Sequence, residues 1–225
     1  MPSLSAMLSL AVSYYHKTKS ISTNGGIKVK LKKTDVSGFD KIYGLMERAF
    51  PYDERRDREK QKECFMNECF SAFEIEKDGE FSGFLTAWEF ENFVFFEHLA
   101  VLPEKRNGGI GSLAVEEAKK YYSGKPIVLE VEKPLSDITK RRVAFYERHG
   151  FKNNGVFYEQ PSYHNESPLV LDLMSFPAKL SKEELCDFLS NTRKTVYNVK
   201  KKKNSPAENA EIPAFLTGHF KTAPC

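Results

Sequence analysis

The chain has 225 residues, enough for one buried core without disulfide staples at roughly 100 to 200 residues per domain, which excludes a miniprotein. It is 40% hydrophobic, 29% charged and 13% aromatic, a soluble globular composition with polar tails beside the roughly 45 to 50% apolar share of average domains. No stretch approaches the ~20 apolar residues of a membrane-spanning helix. The net charge of +3 is unevenly spread: residues 1–34 carry six Lys and no acid, residues 193–225 carry seven Lys or Arg against Glu208 and Glu211, and residues 35–192 are left at −8.

The basic run Lys200 to Lys203 reads as a solvated extension, and nucleic acid is not an expected partner. Cys64, Cys69, Cys186 and Cys225 have neither the CxxC spacing of a zinc site nor the density of a secreted disulfide framework, so no metal and a cytoplasmic setting are expected. The apolar run Leu4 to Val12 has no Lys or Arg before it and no clear cleavage site after it. Residues 1–26 are therefore read as a flexible extension.

In chain order, residues 27–33 alternate apolar and basic as a half-buried strand does. Asp35 caps a helix with Phe39, Ile42, Tyr43, Leu45, Met46 and Phe50 at helical spacing, stopped by Pro51. The charged segment 52–62 runs into a second short helix, with Cys64, Phe65, Cys69 and Phe70 near one face. Three strands follow at 72–77, 81–90 and 93–102, joined at Asp78-Gly79 and Glu91-Asn92 as an antiparallel meander. Residues 109–122 are a helix with Ile110, Leu113, Ala114 and Ala118 inward, 126–131 a strand, 137–149 a helix closed by Gly150, and 151–159 and 169–176 two more strands.

A strand, helix, strand crossover after a meander implies a mixed α/β (α+β) sheet of six or seven strands, mostly antiparallel, with parallel pairing in its centre. Ser181 and Glu184 form a capping box for a further helix that fades near Val199. Residues 200–225, with three prolines and no apolar period, read as a disordered basic tail. The domain reading is an extension over 1–26, a folded domain over 27–176, a C-terminal helix over 177–199 and the tail.

The segment from Leu99 to Ser112 contains Arg106-Asn107-Gly108-Gly109-Ile110-Gly111 at the start of a helix. There unpaired N–H groups and the helix dipole suit an anion. A Walker loop fails because Gly111 is followed by Ser112 with no Lys. The dinucleotide pattern, with Gly109, Gly111, Ala114 and Glu130, fits poorly because Pro103 to Asn107 separate the glycines from their strand.

The hexad resembles the R/Q-x-x-G-x-G/A loop of the GNAT acetyltransferase superfamily, after a strand ending Leu99-Ala100-Val101. Residues 143–151, Val-Ala-Phe-Tyr-Glu-Arg-His-Gly-Phe, resemble its A-x-x-F-Y-x-x-x-G-F segment, and a strand reading Ile127 to Val131 lies between the two. The resemblance covers about residues 27–176. It implies the GNAT fold and acetyl transfer from acetyl-CoA, as co-substrate, directly to a primary amine on a small molecule or peptide. The pantetheine would pair with Leu99, Ala100 and Val101, and the pyrophosphate would meet the N–H groups of Arg106, Asn107, Gly108, Gly109, Ile110, Gly111 and Ser112.

A protonated amine of pKa about 10 is no nucleophile, and a departing thiolate of pKa about 8.5 leaves better protonated, so a base and an acid are needed. The resemblance makes Tyr146 the acid, near the sulfur. For the base, Glu130 aligns with a strand position where family members carry a glutamate; Glu97 is the neighbouring alternative and a water relay another. Strand alternation puts Glu97 with Leu99 and Val101, and His98 with Ala100 on the other face. Thr139 stands where family members often have asparagine. His149 is assigned only dipole stabilisation, and His164 and Tyr163 are placed near the acceptor pocket. The alternative is a non-catalytic acyl-CoA-binding module, and a monomer or homodimer is expected.

Overall fold

The computed structural model describes residues 28–164 and 166–198. The 1–26 extension and the 200–225 tail lie outside them.

Chain order gives strand β1 (Val29–Thr34), helix α1 (Phe39–Ala49), helix α2 (Arg58–Cys64), and strands β2 (Phe70–Lys77), β3 (Glu80–Glu89) and β4 (Val94–Val101). Then come helix α3 (Ile110–Tyr121), β5 (Ile127–Glu132), helix α4 (Asp137–Arg148), β6 (Lys152–Asn153), β7 (Tyr158–Gln160), β8 (Leu169–Phe176) and helix α5 (Lys182–Asn191). A π turn over Thr192–Val196 extends α5. The eight strands form one sheet in the order β1-β2-β3-β4-β5-β8-β6, with β7 also on β8. All pairs are antiparallel except β4 with β5.

The local signals act as their chemistry requires. Asp78 and Gly79 both take positive φ, 53° and 84°, the geometry of the tight turn that matches strand twist. α1 buries Phe39, Ile42, Tyr43, Leu45 and Met46 and ends as Phe50 turns extended before Pro51. At α5 the Ser181 hydroxyl accepts from the Glu184 N–H while the Glu184 carboxylate accepts from the Ser181 N–H.

Three expectations are corrected. The strand expected over 151–159 is two short strands, because the Gly155 N–H turns back onto the Asn153 side chain at 2.8 Å, so the sheet has eight strands. Cys69 and Phe70 leave the second helix: Asn67 caps a turn by accepting from the Cys69 N–H, and Phe70 opens β2. The α5 region, expected as a helix to about 199, leaves α geometry at Thr192.

Each face of the sheet is covered. On one side α1, α2 and α5 pack Ile42, Met46, Cys64 and Phe188 against Phe84, Trp88, Phe95 and Ala100. On the other, α3 and α4 pack Val115, Ala118 and Val143 against Leu85, Phe96 and Leu129. Among the described residues, no helix is long and apolar enough to cross a membrane.

Candidate active site

The site begins where the parallel pair fails. β4 and β5 are in register only over Val94 to Phe96 and Ile127 to Leu129. Beyond those residues β4 keeps its antiparallel neighbour β3 through Val101, and β5 keeps β8 through Glu132. The two strands therefore diverge, and a cleft opens with the second half of β4 as one wall and the second half of β5 as the other.

One end of the cleft is a cavity of about 540 Å³ whose lining includes Leu99, Val101, Arg106, Asn107, Gly109, Ile110, Gly111, Ser112 and Tyr146. Gly109 is the N-cap of α3 with φ 73°, a left-handed conformation that glycine adopts without the Cβ penalty. The first α3 bond recorded at this end runs from the Leu113 N–H to the Gly109 carbonyl, so the N–H groups before it have no partner within the helix. The first turn carries no acidic residue, and the positive end of the dipole is uncovered. Arg106 donates from Nε to the Val101 carbonyl at 3.1 Å, which ties the loop to the strand and leaves four of its five N–H donors. These donors suit a diphosphate, and the open strand edge suits an extended amide chain.

The second end is a cavity of about 310 Å³. Tyr146, Leu99, Val101, Arg106 and Arg142 line both cavities, so Tyr146 stands at their junction. Burial pushes its phenol up to about 12, against a smaller opposing effect of Arg142. It keeps its proton at neutral pH.

The two candidate carboxylates, Glu97 and Glu130, both line the smaller cavity. Alternation fails at Glu97: the register steps from Thr86 opposite His98 to Ala87 opposite Phe96. This bulge gives Glu97 no residue opposite and re-aims its side chain. Glu97 therefore does not share a face with Leu99 and Val101. It meets Arg56, Trp88, Tyr163 and His98: Arg56 Nη1 donates to Oε1 at 2.7 Å, Tyr163 Oη donates to the same oxygen at 3.0 Å, Trp88 Nε1 donates to Oε2 at 2.9 Å, and His98 Nδ1 lies 3.6 Å from Oε2.

The Glu97 and Arg56 side chains are 1% and 6% exposed. Burial alone would raise the Glu97 carboxyl, but Arg56, then His98 and Trp88, hold it far below the usual carboxylate range. It is a permanent anion.

Glu130 has the opposite setting. It accepts hydrogen bonds from Tyr158 Oη, from Gln160 Nε2 at 2.7 Å, and from Tyr197 Oη at 3.0 and 2.8 Å to its two oxygens. Among the described residues no cation is paired with it, and Arg142, which lines the same cavity, goes to Glu132. Burial raises its carboxyl, the charge of Glu97 adds to this, and the three donors pull back, leaving it at about 7. A group poised there exchanges protons readily near neutral pH.

Two of the residues that hold these carboxylates, Arg56 and Tyr197, carry no motif. Arg56 also donates from Nη2 to the Val196 carbonyl at 2.8 Å and lies 4.4 Å from the Tyr163 ring centroid. Tyr197 comes from beyond α5. Only the composition of 52–59, charged and aromatic, hinted at the first, and nothing marked the second.

His164 does not line either cavity but braces the 52–57 segment. Its Nε2 donates to the carbonyls of Tyr52 and Arg55, each at 2.9 Å, and its ring stacks on Tyr52 at 3.9 Å. Thr139 is used structurally, in a capping box with Ser136. His149, assigned only dipole stabilisation from the sequence, touches Ser112 of the loop at 3.1 Å.

The description Acetyltransferase (GNAT) family matches residues 39–151. A GNAT-family protein of Bacteroides thetaiotaomicron, named as an acetyltransferase, superposes with TM-score 0.71 at 31% identity, over 76% of this chain and 99% of that one. YjbC of Bacillus subtilis (strain 168), which also bears the name of an acetyltransferase, is 29% identical over 119 residues, 51% of this chain and 61% of that protein's length. The structure of Arabidopsis thaliana NAA60 in complex with acetyl-CoA shares the fold, with TM-score 0.50 and 16% identity over 66% of this chain and 97% of that one.

Proposed function

Because this chain belongs to the GNAT acetyltransferase family, we propose that it transfers an acetyl group from acetyl-CoA directly to a primary amine, with both substrates bound together in the β4–β5 cleft. The observation that carries this reading is the junction: a phenol that stays protonated, Tyr146, borders both cavities, and a carboxylate at about 7, Glu130, lies in the smaller one.

The loop residues Arg106 to Ser112 and the edge of β4 from Leu99 to Val101 fit acetyl-CoA: unpaired N–H groups at a helix start for the diphosphate, an unpaired strand edge for the pantetheine. Acetyl-CoA supplies an activated acyl group when bound. Glu130 removes a proton from the incoming ammonium, directly or through one water, so that the amine can attack. Tyr146 donates its proton to the departing sulfur and is reprotonated by the second proton that the attacking nitrogen sheds as the amide forms, while Glu130 passes the first to solvent. Each proton transfer is worth about 10²- to 10⁴-fold in rate.

Glu97 is not the base in this account, because the Arg56 pair holds it ionised and strongly acidic. It tunes: its fixed charge disfavours a second anion nearby and raises Glu130. Glu54, also in the lining, is raised by burial and then by Glu132. With Arg56 paired to Glu97 and Arg142 paired to Glu132, Glu54 and Glu130 are left as the acids of this lining without an ion-pair partner among the described residues, which suits a cationic amine. Tyr197 reaches Glu130 and Arg56 reaches Glu97, so the working unit extends from the segment before α2 through the turn after α5.

The test is release of CoA thiol from acetyl-CoA with a panel of primary amines and peptides, for the wild type, Glu130→Gln and Tyr146→Phe. Amine-dependent release that falls at least about 10²-fold in both variants, with acetyl-CoA still bound, is expected. Acetyl-CoA binding without amine-dependent release would instead identify a non-catalytic acyl-CoA-binding module.

A further inference from the structure

Ser112, His149 and Glu116 form a chain of hydrogen bonds beside the larger cavity. His149 Nδ1 lies 2.7 Å from Glu116 Oε1, and His149 Nε2 lies 3.1 Å from Ser112 Oγ. The His149 side chain is 12% exposed and Glu116 43%. Ser112 lies in the first turn of α3 and lines the cavity. Lys119 of α3 also faces this cluster and donates to both Glu116 oxygens at 3.0 and 3.1 Å and to the His149 carbonyl at 2.9 Å. Arg148, the preceding residue of α4, lines the cavity, and the Phe145 ring packs on the imidazole at 4.8 Å.

Donor and acceptor roles follow from this arrangement. An ionised carboxylate only accepts, so His149 Nδ1 carries the hydrogen facing Glu116. In the neutral ring Nε2 is then an acceptor, and the Ser112 hydroxyl must spend its only hydrogen on it. Its oxygen presents lone pairs to the cavity, a poor neighbour for a phosphate oxygen. In the imidazolium Nε2 is a donor, Ser112 Oγ accepts from it, and the hydroxyl hydrogen is released to point into the cavity.

We propose that His149 is a positioning residue for the cofactor's diphosphate: in its imidazolium form, braced by Glu116, it turns the Ser112 hydroxyl toward a diphosphate oxygen, so that acetyl-CoA binding takes up a proton. This rests on the reading of the Arg106 to Ser112 loop as the diphosphate site. The added positive charge beside the helix start also favours the anion. By linkage, a ligand that prefers the protonated form binds more weakly as pH rises and draws a proton from solvent when it binds. The sign is thus opposite to that of catalysis by Glu130, which improves as pH rises.

The experiment is calorimetric titration of the full chain with acetyl-CoA between pH 5.5 and 8.5, in paired buffers of different ionisation enthalpy, for the wild type, Ser112→Ala and His149→Gln. In the wild type the Kd is expected to rise with pH by up to about tenfold per unit, with uptake approaching about one proton per ligand at the steepest point. Ser112→Ala keeps the histidine and the carboxylate but removes the hydroxyl that couples them to the ligand; His149→Gln removes the imidazole. Both are expected to lose most of this uptake and to bind with a flatter pH dependence. Uptake that is absent in the wild type, or equal in all three proteins, overturns the proposal while leaving the loop assignment standing. No binding of acetyl-CoA to folded wild type overturns the loop assignment and this proposal with it.

Discussion

The two ends of the cleft are built from different kinds of sequence. The larger cavity is lined by the end of β4, the following loop and the start of α3, one stretch from Leu99 to Ser112, together with residues of α4. The acceptor end is assembled across the chain: Arg56 binds Glu97 and the Val196 carbonyl, 140 residues away, and Glu130 is held by Tyr158, Gln160 and Tyr197. A diphosphate and an amide chain can be met by backbone groups, which need only glycine and a helix start. An amine and its protons need side chains at controlled ionisation, and those are set by burial and neighbours brought together by the fold.

This difference is sharpened by perturbing each end. The largest effect is expected at the acceptor end: Glu130→Gln is predicted to lower kcat by about 10²- to 10⁴-fold while leaving acetyl-CoA affinity within a few fold by calorimetry. Arg56→Leu should cost about 3 to 5 kcal/mol of unfolding free energy, because it strands the buried Glu97 anion. Urea titration checks this, and the double variant with Glu97→Leu should recover most of the loss.

At the cofactor end, Gly109→Val forces a β-branched residue to a φ of 73°, a strain of order 1 to 3 kcal/mol. It is predicted to weaken acetyl-CoA about ten- to hundredfold, with kcat at saturation changed less than by Glu130→Gln. The smallest effect belongs to Tyr197→Phe. The Tyr197 hydroxyl favours ionised Glu130, so its removal raises the Glu130 carboxyl further. The pH profile of kcat should then move upward by less than about one unit, with little change in acetyl-CoA binding.

The same contrast explains what could be read in advance. The glycine loop at a helix start, the Phe145-Tyr146 segment on the next helix and most of the order of strands and helices are written in short-range pattern and stand where that pattern puts them. The surroundings of Glu97 were misread because alternation assumes an unbroken ladder, and the bulge opposite Thr86 and Ala87 is a property of the pair of strands, not of β4 alone. Tyr197 could not be singled out, since its role depends on the π turn after α5 carrying it back to β5. His149 was placed correctly at the end of α4, but its contact with Ser112 is made between two helices and has no sequence period. The different settings of Glu97 and Glu130 depend on Arg56 lying beside one of them, a contact across 41 residues that no sequence period marks.

The central claim is that Glu130, lifted by burial to about 7, takes the acceptor's proton. The most direct test is the pH dependence of kcat for the wild type and Glu130→Gln with a saturating amine. The account predicts a wild-type rate that rises about tenfold per unit below an apparent pKa near 7 and levels above it, and a residual rate in the variant without that inflection. The same inflection in Glu130→Gln, at unchanged kcat, would contradict it and move the proton transfer to another group.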